Sequence, residues 1–177
     1  MNINYTIKCK NINEISKIVI DTNKKIYIMI EEINGHIMLH NSVHSLEEIL
    51  LFVQNDSLLI IQPVDNITNS LIDYLNNLLY FYDFYIVVRS EKDGQQLYIK
   101  NMNFKIGLIE DKILEINDNS FIFTFFILNY FHDYLERTKV FKDFIVFFHG
   151  NINKNVINFV KKNKINTNII VSFSLLN

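Results

Sequence analysis

Phe144-Ile-Val-Phe-Phe148, then His149-Gly-Asn-Ile-Asn153, then an apolar-periodic segment to Lys164, then Ile169-Ile-Val-Ser-Phe173: the fold is read from this stretch. A short apolar run that ends in a polar turn reads as a strand covered on both faces. The order is strand, polar loop, helix, strand. A looser copy lies at Leu58 to Val88 and a fainter one at Thr6 to Ile30. The expected fold class is therefore α/β, a central mixed sheet with flanking helices.

Upstream, Tyr5, Ile7 and Cys9 alternate as in a short strand, and Ile12, Ile15 and Val19 follow at helical spacing with Asn11 or Asn13 as N-cap. Lys25 to Ile33 and His36 to His40 flank Asn34-Gly35, which predicts a hairpin with a type I′ turn. Ser45-Leu-Glu-Glu48 has the form of a capping box, opening a helix to about Gln54. Leu58 to Ile61 is a buried strand stopped by Pro63, and a helix follows from Asn66 or Thr68 to Tyr82. Phe84 to Val88 is the next strand, and Asp93-Gly94 predicts a second Gly-turn hairpin returning through Gln96 to Lys100. Phe104 to Ile109 and Ile113 to Ile116 suggest a third hairpin, and Phe121 to about Lys139 a central buried helix.

The order strand, helix, strand, Gly-turn, strand, helix occurs from Tyr5 to Gln54 and recurs, lengthened, from Leu58 to Lys139. One compact domain over 1–177 is expected, or two fused repeats at about 1–55 and 56–177. The alternation of any α/β chain gives the same order.

The chain has fifteen Phe and nine Tyr, no Ala or Trp, and only Arg89 and Arg137 as arginines. An AT-rich coding sequence yields that bias, so Asn runs and Lys-for-Arg usage carry little function. A net charge of −2 provides no overall field for nucleic acid or an anionic membrane. Cys9 is the one cysteine, which excludes an intramolecular disulfide and a cysteine metal cluster. No segment has the length of a membrane span, and the N-terminus lacks a signal peptide's apolar core, so a cytoplasmic protein is expected.

His36, His40 and His44 would stack on a helix, but in a strand His36 and His40 lie about 13 Å apart at ~3.3 Å per residue. That excludes a shared zinc ion, and a solvated strand face is expected. His132 and Glu136 are helix neighbours that lack the second histidine of a zinc helix and read as a surface ion pair. Lys154, Lys161, Lys162 and Lys164 form a basic helix face, read as solvated, so nucleic acid is an unlikely partner. Tyr80, Phe81, Tyr82, Phe84 and Tyr85 cluster across a helix-to-strand junction. Core packing accounts for such a cluster, and Tyr80, Tyr82 and Tyr85 are the interface candidates.

Ligands of open α/β sheets bind outside the carboxyl ends of strands. Two loops qualify: Asp65-Asn66, and His149-Gly150-Asn151 with Lys154 for an anion. If their strands were adjacent, Asp65 could orient His149 as a general base. Ordinary strand-to-helix loops have the same composition. No glycine-rich dinucleotide fingerprint, Walker loop or nucleophile elbow is present, no stretch matches a family's motif set, and no metal or cofactor is called for. The function expected is a non-enzymatic interaction or regulatory module, of inhibitor or immunity type, with another protein chain as partner. The alternative is a small enzyme or anionic-metabolite binder working through those two loops.

Overall fold

A run of parallel strands that closes on itself is the frame of this molecule. In the computed structural model, residues 3–21, 25–53, 59–110, 123–128, 145–148, 158, 162 and 167–175 are described. The strands are β1 (Ile3–Lys8), β2 (Lys25–Ile33), β3 (His36–Leu39), β4 (Leu59–Pro63), β5 (Phe84–Val88), β6 (Lys105–Glu110), β7 (Phe123–Leu128), β8 (Ile145–Phe148) and β9 (Thr167–Ser172). The helices are α1 (Ile12–Asp21), α2 (Leu46–Phe52), α3 (Asn69–Leu78) and α4 (Glu91–Lys100). The sheet runs β1-β9-β8-β7-β6-β5-β4-β2-β3, and β1 also pairs in parallel with β2. Every strand except β3 is therefore parallel to its neighbours, and these eight form a closed ring.

Alternation along each strand then sorts side chains to two sides. Ile7, Ile26, Ile28, Ile61, Ile86 and Ile106 face the helices and pack with Ile15, Ile49, Leu71, Leu75 and Leu97. Tyr27, Ile60, Val87, Phe125, Ile127 and Ile170 fill the inside of the ring. A core within the ring and a second one around it are the hallmark of a parallel β/α barrel.

The first hairpin forms as expected. Asn34 and Gly35 both have positive φ, 51° and 79°, which brings β3 back antiparallel to β2. Asn11 Oδ1 accepts from Glu14 N, the Ser45–Glu48 capping box is complete, and Thr68 caps α3.

Three expectations are corrected. Asp93-Gly94 is no turn, because it lies inside α4, whose N-cap Ser90 accepts from Asp93 N at 3.1 Å. Gly94 serves close packing, since a Cβ there would stand 2.6 Å from the Phe123 ring. β5 is thus followed by α4 where a Gly-turn and a strand were expected. The third hairpin fails because β5 and β7 occupy the two edges of β6, while Ile113 to Ile116 lie outside the described residues. The start of the predicted Phe121 to Lys139 helix is instead β7, a run of aromatic and branched residues suited to a doubly covered strand; the rest lies outside the described residues.

The pairing of β6 with β7 slips between Ile106 and Gly107. The slip lets Phe123 point at α4 while Phe125 points into the barrel, and Thr124 Oγ1 donates to Ile106 O at 3.2 Å. Gly107 leaves the Phe125 ring its room, because a Cβ would sit 2.2 Å from it. Gly107→Val is expected to cost about 3 kcal/mol in urea unfolding, the upper end of ordinary overpacking. Gly107→Val with Phe125→Leu should recover much of that loss, and failure to recover any would show that the ring is not the obstacle.

Candidate active site at the C-terminal mouth of the barrel

Parallel closure brings the carboxyl ends of all eight ring strands to one end, where barrel enzymes build their sites. Lys8 ends β1 facing inward, with Nζ 5.7 Å from the centre of the Tyr27 ring. The Tyr27 hydroxyl is hydrogen-bonded to the side chain of Gln62, which is 3 % exposed near the end of β4. With the Gln62 amide oriented to satisfy its neighbours, its oxygen accepts from Arg89 Nε at 3.1 Å and Nη2 at 3.2 Å. Lys8, Tyr27, Gln62 and Arg89 thus form a polar chain across β1, β2, β4 and the exit of β5.

This chain is rich in positive charge. Burial pushes the Lys8 ammonium below the ordinary lysine range, and Lys10 and Arg89 push it further. Among the described residues, no carboxylate pairs with Lys8 or Arg89. Lys8 is half-buried and Arg89 exposed, and an anion bound between them would offset the repulsion that helps lower the Lys8 ammonium. Deeper along β1, Thr6 Oγ1 is buried with no hydrogen-bond partner. Burial also raises the Tyr27 phenol, against the pull of Arg89, so it stays protonated at neutral pH.

A second polar group overlooks Lys8. Cys9 N donates to Tyr27 O and His40 N donates to Met29 O, each at 2.9 Å. His40 therefore continues the column of β1 on the edge of β2, about 6–7 Å further toward the mouth at ~3.3 Å per residue. Its Nδ1 lies 3.2 Å from Glu31 Oε2, within ion-pair reach though off the line of a hydrogen bond. Asn41 Nδ2 stands 2.9 Å from His40 Nε2, and Asn41 N donates to Glu31 Oε1 at 2.9 Å. That backbone bond, opposed by burial and helped by His40, holds the Glu31 carboxyl below its usual range. With Asn41 Nδ2 on one side of the ring, Nδ1 is left facing the carboxylate. Asn41 reaches this position with a φ of 57°, a conformation asparagine tolerates.

Beside Arg89, the loops after β4 and β5 enclose a cavity of about 470 Å³ lined by Asp65, Asn66, Thr68, Arg89 and Asp93. Asp65 and Asn66 both line this cavity. The strands before the two candidate loops are not adjacent, since β4 and β8 are four places apart in the ring of eight, on opposite sides of one mouth. His149, Gly150, Asn151 and Lys154 lie outside the described residues, as do His132 and Glu136. Of the C-terminal lysines only Lys162 is described, exposed and helical.

His36 is exposed, and His44 contacts Glu48 at 3.3 Å. Among the described residues no three His, Cys, Asp or Glu gather to hold a metal ion, and no helix is long and apolar enough to cross a membrane. Tyr80 is exposed and Tyr82 packs partly against the helix-side core. Tyr85 turns into the barrel, edge-on to Phe125 at 5.1 Å between ring centres.

A scan against protein-family models finds no match, and neither does a search of curated proteins. Solved structures do match. A glycerophosphodiester phosphodiesterase from Thermotoga maritima aligns with a TM-score of 0.70 at 9 % identity, over 98 % of this chain and 95 % of its own. A glycerophosphoryl diester phosphodiesterase from Parabacteroides distasonis aligns with a TM-score of 0.68 at 10 % identity, over 86 % of this chain and 73 % of its own. At such identity the likeness establishes the fold. It also overturns the expectation of a non-enzymatic regulatory module, because the architecture this chain shares is that of two phosphodiesterases, with polar groups gathered at the C-terminal mouth.

Proposed function

We propose that this protein is a barrel enzyme that binds a phosphate-bearing substrate at its C-terminal mouth and cleaves a phosphate ester there. The observation that carries the reading is the half-buried Lys8 and the exposed Arg89 at one mouth, linked through Tyr27 and Gln62, with no carboxylate in an ion pair with either among the described residues. A phosphodiester is an anion whose non-bridging oxygens gain charge density as the nucleophile arrives. Fixed cations aimed at those oxygens stabilise that state more than the ground state. Gln62 and Tyr27 hold the two ends in place. His40, oriented by Glu31 at Nδ1, exchanges its Asn41 contact at Nε2 for the substrate and there takes the proton from the attacking oxygen or returns it to the departing alcohol.

The loop after β4 (Asp65-Asn66) leaves its strand at this same end and walls the site in this reading. His149-Gly150-Asn151 and Lys154, which follow β8 in sequence, are kept as candidate ligand-binding residues. The activity named for the two similar structures, hydrolysis of a phosphodiester, supports the choice of ester. The protein is taken to work in the cytoplasm, in keeping with a buried, free Cys9.

The test is turnover of bis(p-nitrophenyl) phosphate, p-nitrophenyl phosphate and p-nitrophenyl acetate by the full chain, with and without added divalent cations. Release from a phosphate ester, inhibited competitively by inorganic phosphate, is the expected result. Cleavage of the acetate alone, or no protection by phosphate, would overturn the reading.

A further inference from the structure

The opposite end of the barrel carries a different surface. α2, α3 and α4 run back toward the amino ends of the strands, and each finishes in exposed apolar residues. Leu51 and Phe52 are 78 % and 43 % exposed, Tyr80 and Phe81 80 % and 75 %, and Ile99 and Met102 83 % and 72 %. At roughly 150–250 Å² for a large side chain, these six present on the order of 700 Å² of accessible surface. Spread over three neighbouring helix ends, that sum approaches the ~800 Å² that each partner of a standard interface buries.

The patch is built rather than loose. Phe81 N and Tyr82 N both donate to Leu78 O at 3.0 Å, which fixes the aromatic turn on the end of α3. Asn101 Nδ2 donates to Asn76 Oδ1 at 2.8 Å, and Asn103 N donates to Asn101 Oδ1 at 2.9 Å, locking the end of α4 to α3. Between these two ends lies a cavity of about 460 Å³, with Leu79 and Tyr82 in its wall and Tyr80 and Phe81 at its lip. A projecting aromatic pair and a groove therefore share one surface.

We propose that this end of the barrel is the interface of a twofold dimer, with the Tyr80–Phe81 turn of each copy seated in the groove of the other. A surface that meets itself must be complementary to itself, in shape and in charge. The knob and groove supply the shape. The flanking charges cancel internally, Lys100 with Asp73 and Lys105 with Asp83, so these four bring no net charge to the contact. The same pairing argues against an anionic bilayer, which selects unpaired lysines and arginines. Tyr, Phe and Met are residues that interface centres favour. Both catalytic mouths point away from this contact and stay open.

Sedimentation equilibrium on the full chain over ~1–100 μM should give a reversible dimer. Tyr80→Glu with Phe81→Glu should weaken it by roughly 30-fold or more. Far-UV circular dichroism and phosphate-ester turnover should not change, because neither residue belongs to the mouth. Val43→Glu, at a residue 85 % exposed near the other end, should leave the dimer intact. A wild type that remains monomeric at the highest concentration would overturn the proposal. A dimer unmoved by the double substitution, or equally weakened by Val43→Glu, would overturn it too.

Discussion

Lys8→Met is expected to lower kcat/KM for a phosphodiester by about 10²–10³-fold, the usual cost of removing one fixed donor from a developing oxyanion. Arg89→Met should fall in the same range. The double variant should lose less than the product of the two, since both cations act on one phosphate. Lys8→Arg keeps the charge and should retain most of the activity. The pH dependence separates charge from shape. Only the protonated Lys8 binds an anion, and its pKa lies below the ordinary lysine value of 10.5. KM should therefore rise with pH earlier than an exposed lysine would allow, while in Lys8→Arg the rise should vanish.

The same shift has a stability consequence of definite sign. Between the lowered folded value and 10.5 the unfolded chain holds more protons at this lysine than the folded one. The free protein should thus gain stability as pH rises through that window, and bound phosphate should flatten the gain. Unfolding midpoints measured with and without phosphate check both parts. A Lys8→Met enzyme that turns over phosphodiesters at the wild-type rate would remove the anion site from the mechanism.

What could be read from the residues alone was local. The Asn34-Gly35 turn, the Ser45 capping box and the strands around Ile60, Ile86 and Phe147 follow from spacing and turn chemistry over a few positions. Gly94 and the Phe123–Leu128 run were misread because the deciding partners are distant. One glycine is required by a ring from another strand, and an apolar run looks the same whether it is to be a strand or a buried helix. Barrel closure rests on β1 meeting both β2 and β9, a contact between the two ends of the chain that no short-range pattern encodes.

The site stayed hidden for the same reason. Lys8, Tyr27, Gln62 and Arg89 lie on, or directly after, four neighbouring strands and meet only through the register of the sheet. A trace of them was nevertheless in view: Gln62 interrupts an otherwise apolar buried strand, and one of only two arginines follows directly on another. Polar residues at the carboxyl ends of buried strands were the signal to follow. The same rule points to the Asp65 loop, while an open sheet with β4 beside β8 is needed to bring His149 to it, and the strand order excludes that adjacency.

His40→Gln should reduce kcat by about 10²–10⁴-fold, the range for losing a positioned general acid–base, and leave KM within a few fold. The split matters because His40 stands about one layer outside Lys8 and does not carry the charge that holds the phosphate. Its ring is 29 % exposed and the Glu31 carboxylate 20 %, so the pair is sheltered yet within reach of a bound ester. Glu31→Gln keeps shape and hydrogen-bonding capacity at that point but removes the charge that fixes the ring. It should cost about 10–100-fold in kcat, the scale on which second-layer partners of a working histidine act. A merely structural role would instead lower the unfolding midpoint and raise KM together. If His40→Gln keeps full kcat while Lys8→Met does not, the proton work belongs to another group at the mouth, and the loop after β8 with His149 is the next place to substitute.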